Sequence, residues 1–214
     1  VGLKTEIFSL SERERVLQAV TELCAEQGYQ STTAKQIVER AGVSREKFDE
    51  MFGGKEECLL AALNSIIGEV LSAVSSAYSA DRSELESGLF GIKALLELMA
   101  ANPSFAQLGF ITCRQMGPAD ARHAQESGSR LLTAMIERLW EYSSGGVQPA
   151  RAARAALGGA EAVVRREIVA GRTDQLPQLL PDFTYGVTVP FLGQEEALRL
   201  SKRARKLLRG TAWE

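Results

Sequence analysis

A chain of 214 residues that is 45% hydrophobic and 24% charged is long enough for a small module plus one larger helical domain with its own core, and it is neither disordered nor fibrous. Its net charge of −2 does not mark a binder of polyanions. No run of eighteen apolar residues suggests a membrane partner, and the opening V-G-L-K-T-E-I-F lacks the basic start and apolar core of a secretion signal, so a cytoplasmic location is expected. Cys24, Cys58 and Cys113 are odd in number and far apart among helical apolar residues, which predicts buried thiols in a reducing compartment. With His123 the only histidine, no metal site and no cofactor is expected.

The first helix is predicted to start at Ser11, with Glu14 completing a capping box, and to carry Val16, Leu17, Val20, Leu23 and Cys24 inward as far as Gly28. Tyr29 is assigned to packing. Thr32 or Thr33 caps a second helix whose apolar positions Ile37, Val38 and Ala41 share one face, and Gly42 ends it because glycine tolerates the positive φ of a sharp reversal. Val43 plugs the crevice and Ser44 caps a third helix. There Phe48 and Phe52, four apart, turn inward, which leaves Arg45, Glu46, Asp49 and Glu50 outward and Lys47 at the flank. Two short helices around a tight turn are a helix-turn-helix, and the outward face of the second would meet a major groove.

Gly53-Gly54 breaks that helix. Lys55 and Glu56 open a long one striped with Leu59, Leu63, Ile66, Ile67, Val70, Leu71 and Val74. A helix carrying Leu85, Leu89, Ile92, Leu95, Leu96 and Met99 ends at Asn102-Pro103, and Pro103 starts another that holds Phe105, Leu108, Phe110 and Ile111 and breaks near Gly117-Pro118. A longer helix to Tyr142 has Leu131, Leu132, Met135, Ile136, Leu139 and Trp140 in its band. Ser143 to Gly146 is a linker, after which Pro149 to Ala170 is rich in alanine and glycine and admits close helix packing. From Leu176 to Leu192 the near-alternation of β-branched residues also reads as a strand. A lone strand has no partner in a helical chain, so the segment is assigned to helix with a break at Pro190. Glu195 to Arg209 is a basic amphipathic helix, read as a solvated cover of the domain.

The residues V-L-Q-A at 16 to 19, Gly28-Tyr29, Thr32-Thr33, Ile37, Ala41-Gly42-Val43-Ser44, Phe48, Phe52 and Lys55-Glu56 together resemble the N-terminal domain of the tetracycline-repressor (TetR) family of transcriptional regulators. The resemblance implies an all-α fold: a three-helix DNA-binding head over residues 1–54 and a larger helical ligand-binding and dimerisation domain over residues 55–214. It implies a homodimeric repressor released from a palindromic double-stranded DNA operator by a largely apolar small molecule. Thr33, Lys35, Ser44, Arg45, Glu46, Lys47, Asp49 and Lys55 would face DNA, with Lys55 at a helix N-terminus able to hold a phosphate. Met99, Phe105, Phe110, Arg114, Met135, Leu139 and Arg166 are the candidate ligand pocket. Ala152, Ala156, Gly159, Val163, Leu180, Phe183 and Val187 are the candidate dimer interface, since in the family the last two long helices pair across a two-fold axis.

One departure stands out. Family members usually carry tyrosine after the position of Phe48, where this chain has Asp49, and residues 1–54 hold seven cations against nine carboxylates. That acidity motivates an alternative: a helical dimeric ligand-binding or interaction protein with weak or lost DNA binding. No nucleophile–base pair, phosphate-cradling glycine loop or metal-ligand spacing is present, so an enzyme is not expected and no catalytic residue is assigned.

Overall fold

The computed structural model describes residues 10–79, 81–115, 133 and 149–210. Among these every regular element is helical and none is a strand. The predicted linker at 143–146 and the helix ending near Tyr142, with Met135 and Leu139, lie outside the described residues.

The head is built from α1 (Glu12–Gln27), α2 (Ala34–Ala41) and α3 (Arg45–Met51). Each start has its reason in the sequence. Ser11 Oγ accepts from the Glu14 amide while the Glu14 carboxylate takes the Ser11 amide, a complete capping box. Thr33 and Gln36 form the same box on α2, so Thr33 is the cap. Thr32 is buried instead, and its hydroxyl donates to the Gly28 carbonyl at 2.9 Å. Gly42 sits at φ 65°, ψ 39°, the left-handed region where a β-carbon is strained. Ser44 then caps α3.

The linking helix α4 (Lys55–Ser76) belongs to both halves of the chain. Its Cys58, Leu59, Ala62, Leu63 and Ile66 complete the head core with Val16, Val20, Ile37, Phe48 and Phe52. Val70, a turn further on, packs against the head core and the body core alike. The Gly53-Gly54 break thus ends a helix, but the apolar core runs through it, so a boundary drawn at residue 54 cuts across packed side chains. By length and composition α4 is apolar enough to cross a membrane. Several of its apolar residues fill the two cores, whereas Leu71, expected in the buried stripe, is exposed.

The body comprises α5 (Glu84–Ala101), α6 (Pro103–Phe110), a 3-10 turn (Thr112–Gln115), α7 (Pro149–Val169), a second 3-10 stretch (Thr173–Leu179) and α8 (Leu180–Leu208). Leu89, Leu96, Met99, Ala106, Val164, Ile168, Leu176, Leu180 and Ala204 bring these helices into one core. Two sequence expectations are corrected. The helix opened by Pro103 stops at Phe110 and tightens into the 3-10 turn, short of Gly117. The break expected at Pro190 falls at Gly193 (φ 74°, ψ 173°), because proline costs a helix one N–H whereas only glycine enters the left-handed region without strain. Between Leu176 and Leu192 the pattern that also read as a strand is 3-10 and α-helix. Pro181 is accommodated in the first turn of α8, where its missing N–H would have had no partner.

Candidate nucleic-acid interface and ligand cavity

Phe48 and Phe52 are fully covered, with ring centroids 5.7 Å apart, and their burial fixes which side of α3 faces out. Arg45, Glu46, Lys47, Asp49 and Glu50 are all exposed. The cations among them are not free. Arg45 Nε lies 2.9 and 2.8 Å from the two Asp49 oxygens, and this bonding raises the guanidinium pKa. Lys47 Nζ reaches across to α1, 2.6 Å from Glu12 Oε1. Thr33 and Ser44 are exposed caps, and Lys35, with 83% of its side chain exposed, is only loosely paired to Glu39 at 3.9 Å.

Lys55 at the start of α4 is turned toward Tyr29. Its ammonium donates to the Tyr29 carbonyl at 3.0 Å and lies 4.1 Å from the centre of the Tyr29 ring, so a phosphate there would compete with these contacts. Tyr29 is a node. Its hydroxyl donates to Glu56 Oε1 at 2.8 Å, lowering the Glu56 pKa, and its amide donates to Gln115 Oε1 at 3.3 Å. Gln30 also donates to the Gln115 carbonyl, so the 3-10 turn of the body clasps the head. The sequence suggested Gln115 only as a polar contact for a ligand and gave Glu12 no role, because neither belongs to a local pattern; each acts on a residue far away in the chain.

Behind α4, the body holds an apolar cavity of about 80 Å³ walled by Val74 of α4, Leu85, Leu89 and Ile92 of α5, and Thr184, Val187, Thr188 and Leu200 of α8. The two threonine hydroxyls donate to carbonyls of their own helix, Leu180 and Thr184, so what they turn to the cavity is largely methyl. None of the predicted pocket residues that are described lines it. Met99 is in the body core and Phe110 packs against it. Phe105 lines an open groove between head and body with Leu17 and Ile66. Arg114 is exposed on the 3-10 turn, and Arg166 is exposed beside Glu167. The helical periodicity that selected these residues reports burial of any kind, and a cavity wall and a core give the same stripe.

The candidate interface divides likewise. Leu180 is 0% exposed within its own chain and Val187 lines the cavity, which leaves neither a face for a partner. Ala152 packs with Ala153 and Phe191. Gly159 is exposed, and Ala156, Val163 and Phe183 are half-buried. The three cysteines are free and buried. Desolvation pushes all three thiols up, Cys58 to about 12, which makes them inert.

A helix-turn-helix head joined by one long helix to a helical body is the fold of a DNA-binding transcriptional regulator. Residues 16–62 match the family described as bacterial regulatory proteins, tetR family, so the head is a TetR-family DNA-binding domain and the chain has the TetR-family regulator fold. Solved structures agree in fold at low identity. The fatty acid degradation regulator FadR from Bacillus halodurans is 16% identical with a TM-score of 0.72, over 82% of this chain and 93% of its own. The transcriptional regulator FadR from Bacillus subtilis, in complex with stearoyl-CoA, is 16% identical with a TM-score of 0.72, over 84% and 97%. The regulatory protein TetR from Rhodobacter sphaeroides is 20% identical with a TM-score of 0.68, over 84% and 98%. No curated protein matches the chain by sequence.

Proposed function

We propose that this chain is a cytoplasmic, homodimeric repressor that leaves a palindromic operator when a largely apolar small molecule enters the body. The observation that carries this reading is the continuity of α4: Cys58 and Leu59 near its start lie in the head core beneath the reading helix, and Val74 near its end walls the apolar cavity. A molecule that enlarges the cavity pushes on the far end of the helix that seats α3. The dimer would form on the exposed side of α7 around Gly159, with Phe183 of α8, and would set two heads about one turn of duplex apart, roughly 34–36 Å. The bound stearoyl-CoA of the Bacillus subtilis structure supports an acyl chain as the chemistry to try first.

The test is selection of a duplex from a random pool by the full chain, followed by titration of the complex with acyl-CoAs of graded chain length. Release at one range of lengths, blocked by Gly88→Leu, is expected: Gly88 lines the cavity and has open space at its β-carbon. Failure to select any duplex would favour the second reading, a dimeric ligand-binding protein with weak DNA affinity, which the paired state of Arg45 and Lys47 supports.

A further inference from the structure

Both cations of the reading helix are held by carboxylates of the same chain, and the two holds differ in kind. Arg45 is held within α3 by Asp49. Lys47 is held from another element, by a residue 35 positions earlier in the chain. The pair is open to solvent, with 51% of the Lys47 and 43% of the Glu12 side chain exposed, so a polyanion can reach it, and exposed pairs of this kind contribute little to stability. The other charged residues at the start of α1 have other work. Arg13 lies over the Phe52 ring, Glu14 caps the helix, and Arg15 donates to the carbonyls of Ala41, Gly42 and Leu10. Glu12 is the residue of that turn whose carboxylate meets the reading helix.

We propose that Glu12 is a specificity-determining residue: its carboxylate occupies Lys47 as an internal substitute for a DNA phosphate and keeps affinity for unrelated duplex low. A docked duplex carries phosphates along both flanks of the reading helix. For Lys47 to contact one, Glu12 must let go, and the displaced carboxylate then stays beside the same backbone and repels it. On unrelated sequence nothing offsets that exchange. On a matched sequence, base contacts hold α3 in register and carry the exchange with them. The inference rests on the operator-binding reading above and adds to it a residue on α1, outside the helix-turn-helix.

The experiment compares the full-length wild type with Glu12→Gln, Glu12→Gln/Lys47→Gln and, as a control on a looser pair, Glu39→Gln. Each is titrated by fluorescence anisotropy, over a salt series, against a scrambled duplex and against the duplex the wild type selects. Glu12→Gln should bind the scrambled duplex about two- to fivefold more tightly, with the salt slope steeper by about 0.9, one further phosphate neutralised. The selected duplex should gain less, the added Lys47→Gln should erase the gain, and melting temperatures should not change. Unaltered affinity and slope on the scrambled duplex would overturn the proposal. So would a gain that survives loss of Lys47, which would make it an effect of net charge alone. If the wild type selects no duplex, the operator-binding reading fails separately, and the scrambled arm still decides whether Glu12 restrains Lys47.

Discussion

Replacing Asp49 by tyrosine sets two opposed effects against each other on one exposed face. In the structure Asp49 accepts both bonds from Arg45 Nε, at 2.9 and 2.8 Å, with the two side chains 60% and 49% exposed. A pair so open, at i,i+4 on a helix, is worth about 0.3–0.5 kcal/mol, and that bounds what Asp49→Tyr forfeits by no longer holding Arg45 in one rotamer. Against it stands repulsion: a carboxylate roughly 8 Å from a phosphate costs about 0.5 kcal/mol in water before screening, and Glu46 and Glu50 crowd the same face. The tyrosine hydroxyl adds one donor to a charged acceptor, worth about 1.5 kcal/mol when made. The balance is a gain of about 1–2 kcal/mol on unrelated duplex, or roughly five- to thirtyfold. On the selected operator the gain should be smaller, because Arg45 loses the partner that fixes its rotamer, so the specificity ratio falls. Paired titrations of wild type and variant on both duplexes at one salt concentration measure this. Weaker binding of the variant to both would show that Asp49 orients Arg45 productively, and the ranking of the two effects would be reversed.

Two further outcomes follow from buried and bonded groups. Cys58, pushed up to about 12 by burial, holds a thiolate fraction of roughly 10⁻⁴ at pH 8, so iodoacetamide should label it at least a hundredfold more slowly in the native chain than in guanidinium; equal rates would place it outside the core. Glu56 has its pKa lowered by the Tyr29 hydroxyl, so its contribution is present above the ordinary carboxylate pKa and is lost as pH falls through the lowered one. Glu56→Gln should therefore flatten the fall in melting temperature as pH drops from about 5 to about 3, by less than about 1 kcal/mol in stability, and an unaltered profile would count against the bond.

What the sequence made legible were features whose cause is local. Ser11 with Glu14, Gly42, Ser44 and the pair Phe48 and Phe52 each act within a few residues, and the structure has each doing what its chemistry requires. Lys55 was legible as the start of a helix but not as a partner of Tyr29, since nothing local aims its ammonium at a carbonyl 26 residues back. The same holds for Glu12 and Gln115. The cavity was hidden for another reason. Val187 and Leu180 sit on one apolar stripe of α8, yet one walls a cavity and the other fills the core, and the distinction depends on how α5 and α8 are spaced. Pro190 misled because proline is a strong breaker in isolation; here it stands inside the helix, and the backbone gives way at Gly193.

The proposed dimer is best tested at a residue whose replacement leaves the single chain untroubled. Gly159 meets that condition, being exposed with nothing beyond its neighbours and its own helix backbone within 4 Å of the position a β-carbon would take. In an isolated chain Gly159→Glu should improve α7, because glycine costs a helix interior about 0.5–1 kcal/mol relative to residues with a side chain. In the dimer proposed, the same carboxylate enters a stripe between Ala156 and Val163 and meets its own copy across the two-fold axis. An unpaired charge so buried costs about 3–5 kcal/mol, and symmetry counts it twice. Taking the lower bound, about 6 kcal/mol weakens association by roughly 10⁴. Sedimentation at micromolar concentration should then show a wild-type dimer and a monomeric variant whose helical circular dichroism is undiminished. The two effects have opposite signs on the two states, which separates loss of association from loss of fold. A variant that sediments as a stable dimer would move the interface off this face of α7, and with it the spacing of the two heads on DNA.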